Sequence, residues 1–136
     1  MRERIATDPC RVLIVEDDAD QGRLIAELLR DEGLEPRVVT SGRAGLAALR
    51  ERSPRVVLLD LVLPDMDGQA FRAAQLRMPA VRDVPVILLS ATHARNLRAQ
   101  VQELEAAAGF EKPFDVEELL AAVLRFCRQP PGAPDA

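Results

Sequence analysis

The 136-residue chain has no tryptophan, no tyrosine and only four phenylalanines. Rings that could sandwich a flavin are therefore missing. Where a flavin protein would place a hydroxyl- and glycine-rich phosphate loop, this chain has the acids Glu16-Asp17-Asp18, which repel phosphate. Cysteine is almost as scarce. Cys10 and Cys127 stand near opposite ends, so no disulfide framework is expected, and no CxxC pair suggests zinc. Cys127 falls on an apolar helical face and reads as a small buried residue. No apolar run approaches the length of a membrane span. The first ten residues, MRERIATDPC, carry charge without a hydrophobic stretch behind them, so they do not read as a signal peptide. A soluble cytoplasmic protein with no membrane association is the expectation. A net charge of −4 argues against direct nucleic-acid binding, which needs clustered cations to neutralise phosphates.

Lysine is the last scarcity. Lys+Arg total 18, and all but Lys112 are arginine. A chain that uses arginine for its surface cations has kept one compact ammonium on a flexible stem.

What is present is a repeating alternation. Arg11–Val15 is a short strand followed by acids, then a helix over about Ala19–Glu32 with Leu24, Ile25, Leu28 and Leu29 on one stripe. Asp17 or Asp18 can cap it and Gly33 ends it. Pro36–Thr40 is a second strand, and Ser41 caps a helix to about Arg52. Val56–Asp60 is a third strand, apolar without interruption and so buried on both faces. Asp67 caps a helix over about Gly68–Met78, with Ala70, Phe71 and Ala74 inward. Pro85–Ser90 is a fourth strand, and a helix follows over about Ala94–Ala107. A weak fifth strand, Ala108–Glu111, precedes Lys112-Pro113 and a last helix capped by Asp115. Five apolar strands alternating with five helices make a parallel sheet covered on both faces. The expected organisation is an extension over 1–10, one domain over 11–128, and a proline-rich disordered tail or truncated linker over 129–136.

The residues at the strand ends carry the chemistry. They are Glu16 and Asp17 after strand one, Asp60 ending strand three, Ser90 ending strand four and Lys112 after strand five. In a parallel sheet these ends share one edge, where ligands bind. Three carboxylates at close quarters repel unless a cation joins them. Oxygen ligands suit Mg²⁺ or Mn²⁺. Asp60 can then act as a carboxylate nucleophile toward phosphorus, with Ser90 donating to one phosphoryl oxygen and Lys112 neutralising another. Ala91 is small enough to leave the approach open.

With VLIVEDD at strand one, LLDLVLPDMDG around Asp60, LLSA at strand four and KPF at Lys112, the chain resembles the receiver domain of bacterial two-component response regulators over about Arg11–Arg128. The resemblance implies a flavodoxin-like three-layer (βα)5 sandwich with strand order 2-1-3-4-5. It implies Asp60 as phosphoacceptor, and Asp17, Asp60 and the Val62 backbone carbonyl as direct metal ligands, with Glu16 acting through water. Ser90, Ala91 and Lys112 would surround the phosphoryl group, and the Lys112–Pro113 bond would be cis. The implied donor is a histidine kinase or a histidine phosphotransfer protein. The implied activity is a phosphorelay switch that catalyses only its own phosphorylation and slow self-dephosphorylation, not the reaction of a separate substrate.

One position departs from the family. Three residues before the lysine, active receivers carry an inward-turning aromatic; here stands Gly109, with Phe110 beside it as a substitute only if strand five is locally shifted. The site chemistry is untouched by this, but the usual route to the face formed by helix four, strand five and helix five is not. Many members form homodimers through that face, and the poor β character of strand five argues against relying on it here. Val62 and Thr92 flank the expected hydrolytic water, and Val62 cannot orient it, so slow dephosphorylation is expected. His93, the only histidine, reads as a solvated loop residue. An aspartyl-phosphate phosphatase would need a second acid at Val62. The remaining rival is a degenerate pseudo-receiver serving as a constitutive interaction module, which Gly109 favours and the intact Asp60, Ser90 and Lys112 oppose.

Overall fold

Residues 9–91 and 96–128 are described by a computed structural model of the chain. The strands are β1 (Arg11–Val15), β2 (Glu35–Val39), β3 (Val56–Asp60), β4 (Val86–Ser90) and β5 (Ala108–Glu111). The helices are α1 (Ala19–Asp31), α2 (Gly42–Glu51), α3 (Gly68–Leu76), α4 (Leu97–Glu103) and α5 (Val116–Cys127). All strand pairs are parallel, in the order β2-β1-β3-β4-β5. This is the flavodoxin-like order expected from the resemblance.

Alternation along the strands divides the core in two. Leu13, Val15, Val57, Leu59 and Leu88 face one way, onto Leu46 and Leu49 of α2 and Phe71 of α3. Val12, Ile14, Val56, Leu58, Ile87 and Leu89 face the other, onto Ile25, Ala26 and Leu29 of α1 and Leu119, Val123 and Phe126 of α5. Every residue of β3 and β4 is buried, as continuous apolar runs require when helices cover both faces. No helix of the described residues is long and apolar enough to cross a membrane.

The caps follow local chemistry. Asp18 accepts from the amides of Asp20 and Gln21, Ser41 from Ala44, Asp67 from Ala70, and Asp115 from Glu117 and Glu118. Gly33, at φ +85°, closes α1 in the left-handed region that favours glycine.

Several expectations are corrected. Strand two begins one residue earlier, at Glu35. The inward stripe of α1 is rotated: Ile25, Ala26 and Leu29 are buried, whereas Leu24 is 63% exposed. On α3 Ala70 is exposed, and the inward face carries Arg72 and Gln75 beside Phe71. Arg72 donates from Nε to the Leu104 carbonyl (2.8 Å), from Nη1 to Gln75 Oε1 (2.9 Å) and from Nη2 to the Glu105 carbonyl (3.2 Å). Gln75 Nε2 donates to the carbonyls of Val81 and Val84. Buried carbonyls of two loops thus find donors on a helix that a purely apolar face would have left without them. Helix α4 is shorter than its apolar spacing suggested. It stops at Glu103, and Glu105 turns to φ 54°. Cys127 is not a free buried residue but forms a disulfide with Cys10. Thr92 and His93 lie outside the described residues.

Candidate functional site: an acidic pocket at the strand ends

Because the strands are parallel, β1, β3, β4 and β5 all end on one edge. Glu16 follows β1 directly, and its amide donates to the Val39 carbonyl at 3.0 Å, continuing the pairing with β2. Asp60 and Ser90 are the last residues of β3 and β4. The Lys112 amide donates to the Ser90 carbonyl at 2.8 Å, which brings the end of β5 beside that of β4. The Lys112–Pro113 peptide is cis.

Side chains converge here. Lys112 Nζ lies 2.7 Å from Glu16 Oε1 and 3.4 Å from Asp60 Oδ2. Glu16 is fully buried and Asp60 is 5% exposed. Asp17 is exposed at the rim. Single oxygen atoms from Glu16, Asp17 and Asp60 all lie within 4.8 Å of one another. This all-oxygen set fits a hard divalent cation. Two backbone contacts fix the carboxylates: the Asp18 amide donates to Glu16 Oε2 (3.2 Å) and the Val62 amide to Asp60 Oδ1 (3.1 Å). Ser90 is fully buried, its hydroxyl 3.4 Å from the Ala91 carbonyl, and Ala91 is exposed beside it.

Electrostatics follow from this crowding. Burial pushes the Glu16 carboxyl up to about 7, and its contact with Asp60 pushes the same way. The hydrogen bonds from Lys112 and the Asp18 amide pull down without offsetting them. Burial alone would lower Lys112, but the hydrogen bond to Glu16 and the charge of Asp60 outweigh it and hold the ammonium above its ordinary range.

The loop after Asp60 is held by a residue that sequence reading did not single out. Asp65 accepts from the Gly42 amide (2.8 Å) and the Arg43 amide (2.9 Å), two orphan donors at the start of α2. Those hydrogen bonds keep its carboxyl below the usual range. Met66 lies so close to Gly42 that any Cβ there would collide with it. A bridge between Val62 and Asp67 and the hydrogen bond from the Gly68 amide to the Leu61 carbonyl complete the loop. Val62 is 67% exposed on its outer side. The only local signal for Asp65 was its place in a turn-rich acidic loop; its partners are 22 and 23 residues away.

Gly109 and Phe110 separate as adjacent strand residues must. Phe110 packs with the α1–α5 layer. Gly109 faces α4, where an added Cβ would meet Val101 Cγ2 at 2.8 Å and Leu97 Cδ1 at 3.0 Å. The space above Gly109 is filled by α4 side chains rather than by a ring from β5.

Fold and pocket together define an α/β protein whose working edge lies at the carboxyl ends of a parallel sheet. Residues 12–124 match the family model of the response regulator receiver domain. The chain is 43% identical over 117 residues to the sensory transduction protein RegX3 of Mycobacterium tuberculosis, covering 84% of this chain and 50% of RegX3. It is 32% identical over 131 residues to protein Rrf1 of Nitratidesulfovibrio vulgaris, covering 93% of this chain and 92% of Rrf1. Among solved structures, the signal receiver domain of a signal transduction histidine kinase from Syntrophus aciditrophicus superposes with a TM-score of 0.78 at 26% identity, covering 93% of this chain and 98% of that one. The chain spans about half the length of curated relatives such as RegX3. It belongs to the response regulator receiver family of bacterial two-component signal transduction.

Proposed function

We propose that this chain is a phosphorylation-switched receiver in which Asp60 takes a phosphoryl group from a histidine kinase or histidine phosphotransfer protein. The observation that carries this reading is the placement of the one lysine: Lys112 Nζ reaches both buried carboxylates, Glu16 and Asp60, from the far side of the sheet edge. An Asp60 oxygen attacks phosphorus and forms the new P–O bond. The P–N bond of the donor phosphohistidine breaks, and its electron pair stays with the imidazole. Lys112 and the Ser90 hydroxyl hold phosphoryl oxygens, and exposed Ala91 leaves the approach open. The Val62 amide keeps Asp60 oriented through the hydrogen bond on its other oxygen. Asp17, Asp60 and the Val62 carbonyl would hold Mg²⁺ or Mn²⁺ directly, with Glu16 joining through water. Such an ion supplies charge neutralisation between the carboxylates and the incoming phosphoryl group.

The domain extends over 11–128, with 1–10 as an extension and 129–136 as a tail or linker. It works in the cytoplasm, acts on no separate substrate, and loses its phosphoryl group slowly because exposed, apolar Val62 cannot position a water. Its downstream target is a protein, reached through the α4–β5–α5 face, through which homodimers could also form. A second reading, a pseudo-receiver with a constitutive docking face, is favoured by one observation, the α4 side chains that fill the space above Gly109. The two readings separate by amide NMR with Mg²⁺ followed by beryllofluoride. A phosphoreceiver shifts amides around Asp60, Ser90 and Lys112 at both steps. An unchanged spectrum at the second step supports the pseudo-receiver.

A further inference from the structure

The end of the domain opposite the acidic pocket carries a second chemistry. Cys10 immediately precedes β1, whereas Glu16 follows it, so about five strand residues, roughly 17 Å, separate the disulfide end from the pocket. Cys127 is the last residue of α5. The two are 117 residues apart in sequence, yet their Cα atoms lie 5.6 Å apart, inside the range a disulfide spans. The chain has two cysteines, so one intramolecular pairing is available.

Contacts other than the sulfur bond also hold the two ends. The Glu35 amide donates to the Cys10 carbonyl at 2.9 Å, which anchors Cys10 to the start of β2. Arg55, ahead of β3, donates from Nη1 to the carbonyls of Cys127 (3.2 Å) and Phe126 (3.5 Å), at the end of α5 where a cation is favoured. Phe126, next to Cys127, and Val12, two residues after Cys10, are buried in the same core layer. Both cysteines are half-buried.

We infer that Cys10 and Cys127 form a reversible two-electron redox site, a thiol pair that the folded domain keeps ready to be oxidised by a small-molecule disulfide such as glutathione disulfide. One cysteine thiolate attacks a sulfur of the reagent, forming a mixed disulfide and releasing one thiol. The other cysteine, as its thiolate, attacks the protein sulfur of that mixed disulfide, closes the Cys10–Cys127 bond and releases the second thiol. Two protein thiols are oxidised and one small disulfide is reduced to two thiols. The closed form ties the last turn of α5 to the first strand. It encloses nearly the whole domain in one loop and restricts the unfolded chain accordingly.

The test equilibrates the reduced full chain, folded in native buffer, in graded glutathione redox mixtures. The mixtures are quenched by thiol alkylation and read by intact mass, beside Cys10→Ser and Cys127→Ser. The wild type is expected to convert to an unalkylated monomer lighter by two hydrogens, reversed by dithiothreitol, without accumulating a glutathione adduct. Each single variant should instead stop at the mixed disulfide. The oxidised wild type should melt higher by roughly 10 °C or more and exchange the amides of the last turn of α5 more slowly. Wild type that stays doubly alkylated at every ratio, that accumulates mixed disulfide, or that closes only when denaturant is present would overturn the inference.

Discussion

Lys112 is where residue identity decides most. Its ammonium lies between two buried carboxylates, 2.7 Å from Glu16 Oε1 and 3.4 Å from Asp60 Oδ2. Replacing it with alanine leaves Glu16 and Asp60 facing each other without that charge. Lys112→Ala is expected to slow phosphorylation by a small phosphodonor roughly 100-fold, the usual cost of losing one charge-stabilising group, as read by adduct formation over time. Lys112→Arg should not restore the rate, because a planar fork does not reproduce a point charge at 2.7 Å from Glu16. Glu16 sets the pH behaviour. Its carboxyl is raised from the ordinary 4.5 to about 7 in the folded chain. The folded state therefore holds a proton that the unfolded state has released, and stability falls as pH rises from about 4.5 to about 7, then levels. Lys112, raised by its carboxylate partners, contributes stability that is fully present below its ordinary 10.5 and is lost as pH rises from there through its raised value. Urea midpoints measured against pH without divalent cation should show the lower decline, and Glu16→Gln should flatten it. The acids, Asp60, Ser90 and Lys112 were legible because each ends or follows a strand, and a parallel sheet has one carboxyl edge. Asp65 was not legible, because its partners are amides exposed only once α2 lies beside the loop.

At the scale of elements, the strands and caps were written locally, and the loop-to-helix anchors were not. An apolar run is sufficient to make β3 and β4, and one Asp or Ser is sufficient to cap α1, α2, α3 or α5. Phe71 and Ala74 pack on the core as expected and Ala70 does not; the burial of Arg72 and Gln75 was missed, since hydrophobic periodicity says nothing about which buried carbonyls need donors. Arg72→Leu keeps the volume apolar but leaves the carbonyls of Leu104 and Glu105 and the Gln75 Oε1 short of donors. It should cost about 2–3 kcal/mol in urea denaturation. Helix α4 is anchored at its C-terminal end by those same bonds and lies on Gly109 through Leu97 and Val101. Gly109→Ala places a methyl 2.8 Å from Val101 Cγ2. It should destabilise the domain by about 1–3 kcal/mol and shift the amides of α4 while leaving those of α1 in place, as NMR spectra of the two proteins would show. The helix proposed to relay the state of Asp60 thus rests on a backbone surface rather than on a ring.

For the molecule as a whole, alternation of strand and helix was enough for a parallel sheet covered on both faces, but not for the order of its strands. Order 2-1-3-4-5 depends on which strands meet in space, and it came from the likeness of VLIVEDD, LLDLVLPDMDG and KPF to the receiver family. The disulfide escaped for the same reason: 117 residues separate Cys10 from Cys127, and only the folded sheet brings the first strand beside the last helix. The assembled domain carries two distant ends, an acidic edge and a sulfur-linked one, at opposite ends of the same strands. At the acidic edge Asp60 is proposed to accept a phosphoryl group. The most direct measurement is intact mass after incubation with a small phosphodonor and Mg²⁺, run beside Asp60→Asn, Asp60→Ala and a chelator control. One base-labile phosphoryl adduct, lost in both variants and with chelator, is the predicted result. Wild type without an adduct, or an adduct that persists when Asp60 is replaced, would contradict it.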